Sequence, residues 1–298
     1  MTTAVEGRRP DWLSARLFPF TSRFVELDGA LVHYIDEGNG PVLLLLHGNP
    51  TWSFLYRDIV KGLSDRFRCV ALDYPGFGLS RAPVGYGFTP AEHARVVEQF
   101  LLKLDLNGVR MMVQDWGGPI GLWVAARHVD RFRGLIIANT VAWPMAGDRH
   151  FEIFSTLVGG PLGGFLIHRF NVFVNLLIPA GVKRRKLTPE IMAAYRGPFS
   201  RPGLREPTHV FPREIVGSSR FLAEVEDGLV RLAHLPALIV WGDRDFAFRA
   251  QERLRFERTF PRHQTRVLPG AGHFVQEDAA EEIVAAIRAW ELPETATS

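Results

Sequence analysis

Val113-Gln114-Asp115-Trp116-Gly117-Gly118 decides how this chain of 298 residues is read. An apolar run, Val109–Val113, ends here, one residue occupies a sharp turn, and Gly117-Gly118 lead at once into the helix-like segment Pro119–His128. A strand, a tight turn presenting one reactive side chain and a Gly-rich helix start form a nucleophile elbow at the edge of a parallel sheet. Here the residue on the turn is a carboxylate, Asp115, at a position where many hydrolytic enzymes carry serine.

The surroundings repeat that strand-and-helix rhythm. Val42–Leu46, Cys69–Leu72 and Gly134–Ala138 are short continuous apolar runs, as expected of strands covered on both faces. Helical periodicity fills Phe54–Leu63, Pro90–Leu104 and Pro119–His128, and Asp28-Gly29 reads as a hairpin turn between Arg23–Leu27 and Leu31–Asp36. The rhythm stops after Trp143. From Pro144 to Val230 phenylalanines are frequent, no clean strand occurs, and Phe151–Leu157, Phe165–Leu177 and Pro189–Arg196 read as helices. Gly159-Gly160-Pro161-Leu162-Gly163-Gly164 has neither a preceding strand nor a following Lys-Ser/Thr, so it is read as a loop between helices and not as a phosphate cradle. The βα pattern then resumes with Leu238–Trp241, Gln251–Thr259, Thr265–Leu268 and Glu277–Trp290. The expected architecture is α/β: a mostly parallel, eight-stranded sheet flanked by helices in a main domain of residues 1–143 and 231–298, with an inserted helical cap domain at 144–230.

Three chemically loaded motifs fall at strand ends, where open α/β sheets place their ligand site. They are Asp115 on its elbow, Trp241-Gly242-Asp243-Arg244-Asp245 after the penultimate strand, and Gly270-Ala271-Gly272-His273-Phe274 after the last. Each motif alone could be an ordinary turn. Together they follow the chain order nucleophile, acid, histidine. A carboxylate nucleophile also restricts the substrate. Attack by Asp115 on an sp³ carbon yields an ester that a histidine-activated water can hydrolyse, whereas serine would yield a stable ether. The chemistry points to an electrophilic alkyl carbon, a haloalkane or an epoxide, and away from esters and amides. The helix start behind Asp115 favours its ionised form.

The same residues resemble the haloalkane dehalogenases, members of the α/β-hydrolase superfamily. His47-Gly48-Asn49-Pro50-Thr51-Trp52, Asp73-Tyr74-Pro75-Gly76-Phe77-Gly78-Leu79-Ser80, Gln114–Gly118, Trp241–Asp245 and Gly272–Asp278 carry the resemblance, as do Tyr195–Phe199 and Phe211–Glu214 in the cap segment. It implies Asp115 as nucleophile, His273 as base, Asn49 and Trp116 as the halide-binding pair, and the backbone N–H groups of Asn49 and Trp116 as an oxyanion hole. The side-chain chemistry agrees, because an indole is a donor only and a carboxamide offers two N–H groups. The acid is less direct. One branch of that family carries Glu where this chain has Asn139, which cannot ionise; the others place Asp after the next strand, leaving Asp243 or Asp245. Asp245 is favoured because comparable loops read Gly-x-x-Asp and Gly242 sets the count. The combination of Asn49 with a late Asp resembles the family's third branch, whose members tend to self-associate, so a homo-oligomer is a possible state.

Other readings have less behind them. An epoxide hydrolase would share the Asp nucleophile but looks to a pair of cap tyrosines, and the cap segment holds one, Tyr195. Fluoroacetate-type dehalogenases resemble Asp-Arg after the elbow, where this chain has Asp115-Trp116. A non-enzymatic hydrolase-fold scaffold would not need Asp115, an acid and His273 all intact. Net charge is +3 and the only dense basic run is Lys183-Arg184-Arg185-Lys186, which argues against a nucleic-acid partner. No apolar run reaches the ~20 residues of a membrane span, and the polar Met1–Arg16 lacks the apolar core of a secretion signal, so a cytoplasmic protein is expected. The single Cys69 reads as a buried core thiol. No cofactor is called for, and no metal site either, since no histidine pair is read at ligand spacing with a carboxylate. The remaining expectations are that His47 braces the Asn49 loop, that Asp73 holds a turn, and that the carboxylates around Glu277–Glu282 and in the C-terminal tail lie on a solvated helix start and a loose end.

Overall fold

The computed structural model describes residues 9–290. The first part of the polar N-terminus and the C-terminal tail, read above as a non-signal segment and a loose end, lie outside the described residues.

The strands are β1 (Arg23–Leu27), β2 (Ala30–Glu37), β3 (Val42–Leu46), β4 (Arg68–Leu72), β5 (Val109–Asp115), β6 (Phe132–Thr140), β7 (Ala237–Gly242) and β8 (His263–Leu268). They form one sheet in the order β1-β2-β4-β3-β5-β6-β7-β8. β1 and β2 pair antiparallel through the Asp28-Gly29 turn, both of whose residues have positive φ (47° and 75°), as a two-residue hairpin of this twist requires. β2 meets β4 antiparallel, and every later pairing is parallel. All five side chains of β3 are buried, because helices cover both faces of the sheet centre. Cys69 is buried in β4, as expected.

The helices are α1 (Arg57–Leu63), α2 (Pro90–Lys103), α3 (Gly117–Arg127), α4 (Arg149–Gly159), α5 (Pro161–Phe170), α6 (Ile178–Gly181), α7 (Pro189–Arg196), α8 (Glu206–Gly217), α9 (Ser219–Leu232), α10 (Ala250–Thr259), α11 (Val275–Asp278) and α12 (Ala280–Ala289). α2 starts where its sequence says it should: Thr89 and Glu92 form a reciprocal capping box around Pro90. α4 to α9 are inserted between β6 and β7, with no strand among them. No single helix among the described residues is long and apolar enough to cross a membrane.

Four expectations need correction. The helix read over Phe165–Leu177 is two, because Asn171 takes a left-handed conformation (φ 52°) and caps α5 before a π-helical turn at Phe173–Leu177. The glycine-rich run is only partly a loop: Gly160 caps α5, and Pro161 to Gly164 form its first turn. The acidic segment from Glu277 is not a solvated helix start. Glu277 is 3% exposed and takes a forked ion pair from Arg57 at 2.5 and 2.8 Å, a hydrogen bond from Tyr195 Oη on α7 at 2.5 Å, and a further contact from Arg185. Burial alone would raise its carboxyl pKa, but the Arg57 guanidinium outweighs this and holds it below the ordinary value. Finally, a histidine pair does meet a carboxylate at ligand distance: His168, Glu206 and His209 converge between α5 and α8.

Candidate active site

Asp115 is the last residue of β5, and its φ of 52° puts a non-glycine side chain in the left-handed region. Such strain persists only where the surroundings over-determine it. They do here. Thr140 Oγ donates to the Asp115 carbonyl at 2.5 Å, the Asn49 backbone N–H donates to Asp115 Oδ1 at 2.7 Å, and the Trp116 backbone N–H also acts on the carboxylate. Gly48 makes the close approach possible, since a Cβ there would lie 2.1 Å from Asp115 Oδ1. Burial raises the Asp115 pKa, opposed by His273 and by the two backbone N–H groups, and the net direction is upward. The helix start expected to favour the anion therefore only partly offsets the loss of water.

The loop carrying Asn49 is braced as expected. His47 Nδ1 donates to the Gly48 carbonyl at 2.9 Å, and its Nε2 accepts from the Tyr74 backbone N–H at 3.1 Å. Burial lowers the His47 pKa to about 4, so the ring stays neutral and keeps that lone pair. Asp73 holds its turn by accepting from Ser53 N, Leu79 N and His33 Nδ1 at 2.8, 2.9 and 2.8 Å.

His273 stands after β8 with Nε2 3.6 Å from Asp115 Oδ2 and Nδ1 3.0 Å from Asp245 Oδ2. The sheet order explains the second contact: β7 and β8 are parallel neighbours, so the loops after them share one edge. The Asp245 side chain is fully buried. Asp243 is exposed and instead accepts from the Gly270 backbone N–H at 2.6 Å, bracing the loop after β8. Burial would depress the His273 pKa, but the Asp245 carboxylate, with Asp115 behind it, outweighs burial and raises it.

Two positioning groups were not foreseen. Asn139, on β6 with a φ of 25°, donates from Nδ2 to Asp245 Oδ2 at 2.9 Å and to the Gly242 carbonyl at 3.1 Å, while its Oδ1 accepts from Gly242 N at 2.8 Å. In the sequence this position stands out only as a missing acid; its amide is the donor that aims Asp245 from the neighbouring strand. Gln114 Nε2 donates to the His273 carbonyl at 3.1 Å and lies 3.1 Å from its Nε2. Its place one residue before Asp115 on the same strand was the available signal.

These groups open onto a cavity of about 80 Å³. Asn49, Trp116, Asp115, His273 and, from α4, His150 are its polar lining residues, and apolar side chains including Phe151, Phe173 and Ile215 close it from the inserted helices. Asn49 Nδ2 spends one hydrogen on the Thr208 carbonyl of α8 at 3.3 Å. Asp115, His273 and Asp245 thus stand in sequence of contact, with Asn49 and Trp116 beside the carboxylate. No tyrosine lines the cavity among the described residues, and Tyr195 is turned to Glu277.

Residues 41–280 match the family model for the alpha/beta hydrolase fold. The chain is 44% identical over 274 residues to haloalkane dehalogenase 2 of Mycobacterium tuberculosis, covering 91% of this chain and 95% of that protein. It is 32% identical over 281 residues to a cis-3-alkyl-4-alkyloxetan-2-one decarboxylase of Shewanella oneidensis, covering 91% and 88%. Among solved structures, a haloalkane dehalogenase from Bradyrhizobium elkani superposes with a TM-score of 0.82 at 27% identity, covering 91% of this chain and 97% of that one.

Proposed function

From the premise that this chain belongs to the α/β-hydrolase family and, within it, to the haloalkane dehalogenases, we propose that it hydrolyses small haloalkanes to a primary alcohol, halide and proton. The observation that carries the reading is a carboxylate on the elbow, with one oxygen held by the Asn49 backbone N–H and the other facing His273 in a largely apolar cavity.

Asp115 Oδ2 attacks the halogen-bearing carbon from behind. The C–O bond forms as the carbon–halogen bond breaks, and the halide leaves toward the indole N–H of Trp116 and the free amide N–H of Asn49. Donors aimed at the departing ion act most strongly where charge develops. The product is an alkyl ester on Asp115 with Oδ1 as its carbonyl oxygen. His273 Nε2 then takes a proton from water, whose oxygen adds to the ester carbon. The oxyanion forms on Oδ1 between the Asn49 and Trp116 backbone N–H groups. Collapse expels the alkoxide, which takes the proton from His273, and the regenerated carboxyl loses its own proton to solvent. Asp245 holds Nδ1–H, which fixes the tautomer and stabilises the imidazolium between the two transfers. Residues 144–230 serve as a cap that keeps bulk water out, and Asp245 supplies the acid in the manner of the family's third branch.

The epoxide-hydrolase alternative has less support, because no tyrosine lines the cavity among the described residues and Tyr195 is committed to Glu277. Release of halide and proton from brominated and chlorinated alkanes tests the reading, with epoxides and a cis-dialkyl β-lactone as the other substrates. Halide release from a bromoalkane is the expected result; turnover of the epoxide or the lactone alone would overturn it.

A further inference from the structure

The last turn of α5 and the first turn of α8 bring His168, Glu206 and His209 together, with one ligand-type atom from each within 4.8 Å of the others. Glu206 and His209 are three residues apart on α8, so they project from one face of the helix. His168 reaches them from α5, with Nε2 3.0 Å from Glu206 Oε2. The second nitrogen of each ring faces a main-chain carbonyl. His168 Nδ1 donates to Pro202 O at 3.3 Å, and His209 Nε2 donates to Gly159 O at 3.0 Å. Metal-binding histidines are oriented in this way, because the outer hydrogen bond fixes the tautomer and aims the lone pair of the other nitrogen. That leaves Nε2 of His168 and Nδ1 of His209 as acceptors beside a carboxylate, an arrangement that repels itself unless a proton or a cation lies between.

A second feature belongs to the same place. Gly164 lies inside α5, where glycine costs about 0.5–1 kcal/mol relative to alanine. A Cβ at Gly164 would lie 2.6 Å from His209 Cε1, so the absent side chain is what lets the ring lie against α5. The glycine-rich run thus acquires a purpose: Gly159 supplies the carbonyl that orients His209, and Gly164 the space it occupies.

We propose that His168, Glu206 and His209 bind a divalent transition-metal ion of the zinc class, pinning α5 to α8. Two imidazole nitrogens and one carboxylate oxygen suit zinc and its neighbours, whereas magnesium and calcium prefer oxygen alone. All three side chains are partly exposed, so the ion can enter from solvent and keep a water as its fourth ligand. The ion takes no part in dehalogenation. It steadies the first turn of α8, where the neighbouring Thr208 holds the Asn49 amide; Pro212 and Ile215, further along the same helix, reach the cavity wall.

The test uses tag-free protein and zinc chloride in titration calorimetry, with magnesium chloride as the control and cobalt(II) absorption as the coordination readout. One zinc per chain is expected, with a rise in Tm and no heat from magnesium. His168→Gln and His209→Gln should each weaken zinc at least ~100-fold, beyond the ~10–100-fold that loss of an outer hydrogen bond costs. Gly164→Ala should weaken it as well, through the displaced ring, while all three variants fold normally by circular dichroism. Absence of saturable zinc binding, or an affinity unchanged in both histidine variants, would overturn the proposal and leave His168–Glu206 as an ordinary ion pair.

Discussion

Asp115, Asp245 and His273 stand at the ends of parallel strands and in the loops after them, each fixed by at least one hydrogen bond from a neighbouring strand or loop. Phe151, Phe173 and Ile215 reach the same cavity from inserted helices that also expose Ile153, Leu157, Leu162, Phe165 and Leu176 to solvent. One side of the cavity is a set of polar atoms held in place by a shared backbone ladder; the other is an apolar wall with shape but little directionality. Reactive geometry tolerates little displacement, and a sheet edge supplies it. An apolar wall discriminates by fit alone, where one methylene is worth only ~1–3 kcal/mol. The two sides should therefore answer mutation on different scales.

The sharpest contrast comes from His273→Phe. Asp115 needs no base to attack, so the first step survives while hydrolysis of the ester stops. Steady-state turnover should fall by ~10⁴-fold or more, as when a triad member is removed. Intact-mass spectrometry with 1,2-dibromoethane should find an alkyl group on Asp115, and an unmodified mass despite bound substrate would break the assignment.

Asp245→Asn comes next, at a loss of ~10³-fold or more by the same analogy. It also carries a pH signature. Catalysis needs neutral His273, whose pKa is raised above the ordinary value of about 6.5 chiefly because the Asp245 carboxylate outweighs burial. Activity should thus fall as pH drops through a midpoint above 6.5, and removing the Asp245 charge should move that midpoint down. Asp243→Asn, whose carboxylate only holds Gly270 N, should cost far less. Adding Asn139→Glu to the Asp245→Asn protein should restore part of the activity from the neighbouring strand. A larger loss from Asp243→Asn, with the fold intact, would reverse the choice of acid.

Trp116→Phe keeps the ring's packing against Phe211 and deletes one N–H. Loss of a donor to developing charge should cost ~10²–10³ in kcat. Unchanged turnover, together with unchanged bromide quenching of tryptophan fluorescence, would remove Trp116 from the halide site. The smallest effect belongs to the wall: Ile215→Val should change kcat/KM by ~10-fold or less and reorder chain-length preference among bromoalkanes. A loss as large as that of Trp116→Phe would erase the distinction between the two sides.

Legibility followed the same division. The elbow was readable because strand, turn and helix start are local, and a carboxylate on the turn restricts the chemistry whatever surrounds it. The Gly-x-x-Asp pattern of comparable loops, counted from Gly242, pointed to Asp245, and Asp245 Oδ2 lies 3.0 Å from His273 Nδ1. Asn139 was half-read: its failure to ionise was visible, but its role as the donor to Asp245 depends on β6 and β7 lying side by side. The inserted helices were read worst. Apolar periodicity carried through Asn171 as though α5 continued, and α8 and α9 were not delimited at all.

What the amino-acid order determined by itself was the run of eight strands, the helices that connect them in the main domain, and a carboxylate on the elbow followed by a late histidine. All depend on local pattern or on side-chain chemistry. What only the tertiary structure decided was which distant residues meet. Glu277 looked like one of several acids on a wet helix start until Arg57, 220 positions away, and Tyr195 closed over it. His168 and His209 became candidate ligands only because α5 and α8 pack with a glycine between them. A carboxylate or an imidazole carries the same chemistry in any context, but its partner is chosen by how the chain returns on itself, and no local pattern records that.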